Sequence, residues 1–194
     1  MSMAGTELPA TSFALLGLLI FDTSETEGLT GYELKQRADF TLRYYWVSPA
    51  MSQIYTELRR LAAIGYIVEN SGDGPARYRI TEAGQSALTT WLFHGEVGFP
   101  VLKHPVALRL LMGRLSTPDA LSRMLAQHVD ELAARRADLQ AVRDMLGDEH
   151  RTRYAAMVAD WGLEYYDSET RIVTGLRTRL DEEAASQDPP EAPS

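Results

Sequence analysis

A helix that runs straight into a glycine and then into a tight hairpin leaves few folds open, and residues 48–84 have that order. Ser48 followed by Pro49 is a cap-and-first-turn signature: a serine oxygen takes an orphan N–H, and proline has none to lose. Ile54, Leu58, Leu61 and Ile64 recur at helical spacing and make one face apolar, opposite Ser52, Gln53, Thr56, Arg59, Arg60 and Ala63. Gly65 stops the helix as a C′ residue would. Tyr66-Ile67-Val68 and Tyr78-Arg79-Ile80 then read as short strands around the turn-forming run Ser71-Gly72-Asp73-Gly74-Pro75. Helix followed by hairpin is the second half of a winged helix-turn-helix.

The chain before this stretch supplies a first half. Thr11 or Ser12 can cap a helix that is apolar nearly all round, with Phe13, Leu15, Leu16, Leu18, Leu19 and Ile20. A polar, acidic loop is expected over 22–28. Thr30-Gly31-Tyr32-Glu33 is a capping box, and its helix should run to about Phe40. After the hairpin, Thr81 caps a further helix through Ala87, Leu88, Trp91 and Leu92.

Two glycines and a proline between Gly95 and Pro100 place a domain boundary there. Beyond it, 105–115 reads as helix, and Thr117-Pro118-Asp119 starts another. Leu121, Leu125, His128, Leu132, Arg135, Leu139, Val142 and Leu146 step by four and three, a heptad seam with two polar interruptions. Gly147 ends it. A last helix, from about Glu149 to Leu180, carries Tyr154, Val158, Trp161, Tyr165, Ile172 and Leu176. Two antiparallel helices bury one seam against each other, and apolar residues left over go to a partner. The expected domains are therefore 9–93, winged helix-turn-helix; 101–183, helical dimerisation; and 184–194, a proline-rich disordered tail. The fold class is mainly α with a small β-hairpin wing.

Composition narrows the function. The 194 residues contain no cysteine, which removes disulfides and thiolate chemistry and suits a cytoplasmic protein. The longest apolar run, Phe13 to Phe21, falls short of the about 20 residues a membrane helix needs. The four histidines, His94, His104, His128 and His150, form no pair at helical spacing, and no phosphate loop or nucleophile elbow is present. Neither an enzyme, a cofactor nor a metal site is expected. The net charge is −8, but between Phe40 and Ile80 five arginines face three acids, a local +2. That is a weak electrostatic footprint for nucleic acid.

Several stretches together resemble the PadR-type transcriptional regulators. They are Phe13-Ala14-Leu15-Leu16-Gly17-Leu18-Leu19, Thr30-Gly31-Tyr32-Glu33-Leu34, Gln53-Ile54-Tyr55-Thr56-Glu57-Leu58, Leu61 with Gly65-Tyr66-Ile67, and Arg77-Tyr78-Arg79-Ile80-Thr81-Glu82-Ala83-Gly84. Tyr154 and Trp161-Gly162-Leu163-Glu164-Tyr165-Tyr166 are similar to the longer subclass, with a dimerisation region of the virulence-activator type. The resemblance covers about residues 8–183. It implies a homodimeric, sequence-specific DNA-binding regulator, expected to be a repressor, on an inverted-repeat operator. It also implies a small aromatic or hydrophobic effector. A protein-interaction scaffold that uses the winged domain without DNA is the alternative.

The DNA-facing set expected is Tyr32, Lys35, Ser48, Ser52, Gln53, Tyr55, Arg59, Arg77, Tyr78 and Arg79. Gln53 can pair bidentately with adenine and Ser52 can bond either base. Tyr32 and Lys35 suit phosphate contacts, with core packing the alternative for Tyr32. Arg77 and Arg79 alternate with Tyr78 and so leave one face of a strand, as a wing on phosphates or the minor groove requires. Leu121, Leu125, Leu132, Leu139, Trp161 and Tyr165 are expected to dimerise the chain. Tyr45, Trp46, Trp161 and Tyr165 form the candidate effector pocket, with plain packing as the alternative.

Overall fold

The computed structural model describes residues 8–20, 28–46, 48–71, 74–100 and 103–187. The chain divides into two compact units that meet between Phe99 and Pro100. The acidic loop expected at 22–28 lies outside the described residues except for Gly28, and so does the tail beyond Gln187.

The first unit is built from α1 (Ala10–Ile20), β1 (Leu29–Thr30), α2 (Gly31–Thr41), α3 (Met51–Ala63), β2 (Ile67–Asn70), β3 (Arg77–Ile80) and α4 (Glu82–His94). Its core joins Leu15, Leu16, Leu34, Ile54, Leu58 and Leu61, all fully buried, with Leu18, Leu19, Leu29, Ile67 and Leu88 around them. Each such leucine stabilises the fold by about 1.5–3 kcal/mol relative to exposure. The ring of Phe13 stacks on that of Trp91 at 4.8 Å, joining α1 to α4.

Caps set where these helices start. At α2 the box is complete: Glu33 N–H donates to Thr30 Oγ1 at 3.1 Å, and Thr30 N–H donates to Glu33 Oε2 at 2.7 Å. Thr81 caps α4 by accepting from Gly84 N–H at 3.1 Å. Neither Thr11 nor Ser12 caps α1, which begins before both. The helix starts against Pro9, whose carbonyl takes the Ser12 N–H at 2.8 Å. Ser48 likewise does not cap α3. Ala50 holds the cap position, and Pro49 is buried one residue earlier. Gly65 does end α3, with φ +76, a conformation closed to most side chains. Ile64 lies past the last helical turn and is exposed, so the apolar face ends at Leu61.

The sheet has three strands in the order β1-β3-β2, all antiparallel, where a two-stranded hairpin is expected from the sequence. The added strand pairs Leu29 with Tyr78 and Thr30 with Arg77. It is only two residues long, too short for any periodicity to announce it.

The second unit consists of α5 (Pro105–Leu111), a single 3-10 turn (Gly113–Leu115), α6 (Pro118–Leu146) and α7 (Arg153–Gln187). His104 caps α5 and Thr117 caps α6. The 29 residues of α6 span about 43 Å. Gly147, at φ +59, turns the chain back. Residues 184–187, expected to begin a disordered tail, continue α7.

In this hairpin Leu125, Leu132 and Leu139 are buried, together with Ala156, Ala159, Leu163, Tyr166 and Val173 of α7. Small residues bring the helices close: a Cβ on Gly162 would sit 2.6 Å from Leu139 Cδ2. Arg136 grips Asp167 with two bonds of 2.6 and 3.0 Å, and Arg143 bonds Asp160 at 2.6 Å and Asp148 at 2.7 Å.

The expected dimer seam therefore needs correction. Leu125, Leu132 and Leu139 are spent on the helix pair of their own chain and offer nothing to a partner; Leu121 is half-buried. Arg135 is exposed, so it does not interrupt the seam. On α7, Tyr154, Trp161, Tyr165 and Ile172 stand on the opposite, exposed face, joined by Met157. The apolar set expected on α7 is thus one face, but mostly the exposed one, with Val158 and Leu176 half-buried at its edge; the face that packs on α6 carries Ala156, Ala159, Leu163, Tyr166 and Val173 instead.

Candidate nucleic-acid interface

The second helix of a helix-turn-helix presents one face only if its other face is held down, and α3 is held by more than leucines. Glu57 is buried on it, and its Oε2 accepts a hydrogen bond from Ser12 Oγ of α1 at 2.5 Å. Arg60 Nε stands 3.7 Å from the same carboxylate oxygen. Ile54, Leu58 and Leu61 complete the inward face. Outward stand Ser52, Gln53, Tyr55, Thr56, Arg59 and Arg60, all exposed.

Gln53 has a second task. Its Oε1 accepts the Ala50 N–H at 2.9 Å, half of a capping box. Ala50 has no side-chain oxygen to return the bond. The second lone pair of that oxygen and the amide NH2 are not used by this bond. Arg59 Nε donates to the Tyr55 carbonyl at 3.2 Å, which leaves the rest of its guanidinium on the exposed face. The Tyr55 ring lies over the start of α2, where a Cβ on Gly31 would be 2.7 Å from its Cε1.

Between α2 and α3 a small polar group fixes the turn. Ser48 Oγ donates to Asp39 Oδ1 at 2.6 Å, and Lys35 Nζ donates both to Asp39 and, at 3.3 Å, to Ser48. The Lys35 hydrogen bond, then that of Ser48, holds the Asp39 carboxyl below its ordinary range. Lys35 and Ser48, both placed in the DNA-facing set from sequence, are thus engaged in holding the turn. Tyr32 is exposed at the start of α2 and does not pack in the core.

The wing divides by strand parity. Arg79 is exposed, opposite Val68 of β2. Tyr78 points the other way and is 7% exposed, packed in the core of the unit. Burial, then the charge of Glu69, pushes its phenol up. Its place in the DNA-facing set is corrected: the pleat that frees its neighbours buries Tyr78. Arg77 shares a side with Arg79 but reaches across β1. Its Nη1 donates to the Gly28 carbonyl at 2.8 Å and stands 3.4 Å from Glu33 Oε2. It ties the wing to the capping box of α2.

Tyr45 and Trp46 are exposed in the first unit, and Trp161 and Tyr165 are exposed in the second. A cluster that sequence reading passed over lies wholly within the second unit. His104, His128 and Glu169 come from the start of α5, from α6 and from α7, and their ligand atoms lie within 4.8 Å of one another. They are far apart in the chain, so no short-range spacing announced them.

The fold has known counterparts. Bacillus subtilis PadR in complex with operator DNA matches at a TM-score of 0.75 with 22% identity, over 89% of this chain and 99% of that one. This is the PadR-type fold. The PadR-like transcriptional regulator BC1756 from Bacillus cereus matches at 0.71 with 20% identity, over 89% of this chain and 98% of that one. The virulence activator AphA of Vibrio cholerae matches at 0.69 with 19% identity, over the same shares. The family model described as "virulence activator alpha C-term" matches residues 102–173, so the helical unit of the PadR-type fold is recognised from sequence as well. No curated protein matches the chain in sequence. Among the described residues no helix is long and apolar enough to cross a membrane.

Proposed function

We propose that this protein is a sequence-specific DNA-binding transcriptional regulator, a repressor acting in the cytoplasm as a homodimer. The observation that carries the reading is the division of α3: Ile54, Glu57, Leu58 and Leu61 are buried while Ser52, Gln53, Thr56 and Arg59 are exposed. Base-edge donors and acceptors at the N-terminal end of an exposed helix suit the major groove, with Arg59 nearer the phosphates. Arg79 extends the same role to the wing. That a PadR with this fold was solved on operator DNA supports the reading.

A monomer with a local +2 on a chain of net charge −8 binds DNA weakly. A dimer doubles the footprint. Tyr154, Met157, Trp161, Tyr165 and Ile172 form an exposed stripe of large apolar side chains along α7 that suits a second copy of this chain. A two-fold axis would set the two recognition helices about 34–36 Å apart, on an inverted repeat. A flat aromatic or hydrophobic effector, held either by Tyr45 and Trp46 of the first unit or by Trp161 and Tyr165 of the second, would act by shifting the population of DNA-competent dimers.

The test is fluorescence anisotropy against the DNA upstream of the protein's own gene, over a salt series with random duplex as competitor. Tight binding that outcompetes random duplex is expected. Weak, sequence-blind binding would move the weight to a scaffold that uses the winged unit without DNA.

A further inference from the structure

We infer that His104, His128 and Glu169 form a binding site for a divalent transition-metal ion of the zinc class. The three donors come from three separate helical elements of the second unit and converge on one point. His104 Nε2 is 2.8 Å from Glu169 Oε1, and His128 Nε2 is 3.6 Å from the same oxygen. The two imidazoles meet edge to face, 5.4 Å between centroids at 88°, which turns both Nε2 atoms towards the carboxylate without stacking the rings. All three side chains are largely buried, at 13%, 20% and 14% exposure.

One atom points beyond a simple hydrogen-bonded network. His128 Nε2 is buried and has no hydrogen-bond partner, although it faces a carboxylate oxygen. Buried polar atoms without partners are rare in proteins and call for an ion or a function. The other two groups are satisfied: Glu169 accepts from His104, and His104 Nδ1 accepts the Ala107 N–H at 3.3 Å. With Nδ1 accepting, the His104 proton sits on Nε2 and is donated to Glu169. His128 Nε2, at 3.6 Å from Glu169 Oε1, is beyond hydrogen-bond reach and so lacks a partner in either tautomer; a metal would supply one.

Two imidazoles and one carboxylate are a donor set that zinc takes with a fourth position left to water or a ligand. Imidazole donors also suit cobalt, nickel and copper, whereas calcium and magnesium prefer oxygen. Binding moves the His104 proton from Nε2 to Nδ1 and releases the 3.3 Å cap on α5, so a metal bond replaces a long hydrogen bond. Beside the site lies the apolar cluster of Val106, Leu125 and Val173, which holds α5, α6 and α7 together around the donors. A bound ion would clamp all three.

The full-length chain, freed of metal with a chelator, is titrated with Co²⁺ and its visible spectrum recorded, then titrated with Zn²⁺. The expected result is one equivalent of cobalt with the intense bands of a low-coordinate site, displaced by zinc. His128→Gln and Glu169→Gln should each weaken binding at least about tenfold, while His150→Gln, at an exposed histidine outside the cluster, should not. A wild-type chain without a cobalt spectrum would overturn the site, and so would unchanged affinity in both variants. If a variant fails to fold, the wild-type spectrum and a zinc-dependent rise in its Tm decide. Neither readout involves DNA, so the site and the regulatory function stand or fall separately.

Discussion

Ser12 and Glu57, 45 positions apart, meet in the core of the first unit, where the serine hydroxyl donates to the carboxylate at 2.5 Å. The bond ties the first helix to the recognition helix. Ser12→Ala would leave a buried carboxylate oxygen short of a donor, a loss of about 1–3 kcal/mol. Urea denaturation measures it. A midpoint unchanged from wild type would mean that the pair contributes nothing net.

Gln53→Ala should relax sequence preference, because it removes the exposed amide of α3, which the proposed function sets against adenine. Arg79→Ala should weaken binding to every duplex alike and lower the salt slope by about one. Anisotropy on operator and random DNA separates the two. Equal losses on both duplexes in both variants would end this division of labour. Arg77→Ala is a poorer probe, since Arg77 also fastens the wing to Gly28 and Glu33.

Leu132 and Trp161 should behave oppositely. Leu132→Ala opens a cavity in the helix hairpin and should cost about 2–5 kcal/mol of stability, and Leu132→Asp should unfold the unit. Trp161→Ala, on the exposed face, should leave the fold intact and weaken the dimer in sedimentation. A Trp161→Ala protein as dimeric as wild type would remove that stripe from the interface.

Glu33 links stability to pH. The Thr30 backbone hydrogen bond holds its carboxyl below the ordinary range, with the Thr30 hydroxyl and the charges of Arg77 and Arg37 assisting. A folded-state value below the unfolded one stabilises the protein above the carboxylate range and is lost as pH falls through it. Below about pH 5, Glu33→Gln should therefore show a flatter decline in stability than wild type. Parallel declines would show that Glu33 is not among the groups that matter.

Gly162 should not tolerate a side chain. Gly162→Val would press on Leu139 across the closest approach of α6 and α7 and cost about 1–3 kcal/mol, seen as a lower Tm. A variant as stable as wild type would show that Leu139 can turn aside.

Local signals carried most of the fold. The Thr30–Glu33 box, the Thr81 and Thr117 caps and the stops at Gly65 and Gly147 were legible because each acts within one helical turn. The periodicity of α3 likewise told its inward leucines and Ile54 from its outward polar residues, but not that Glu57 is buried or Ile64 exposed. The sequence by itself therefore determined the helices, their order and the winged architecture. What depended on distant partners was not legible. Ser48 looks like a cap until Asp39 is placed beside it, and Ser12 looks like a cap until Glu57 is. Leu125, Leu132 and Leu139 read as an interface until their own chain covers them, and strand parity alone could not say that Tyr78 faces the core. His104, His128 and Glu169 carry no mutual spacing at all. Tertiary structure decided these because a side chain's task is set by what packs against it, and packing joins residues that the chain keeps far apart.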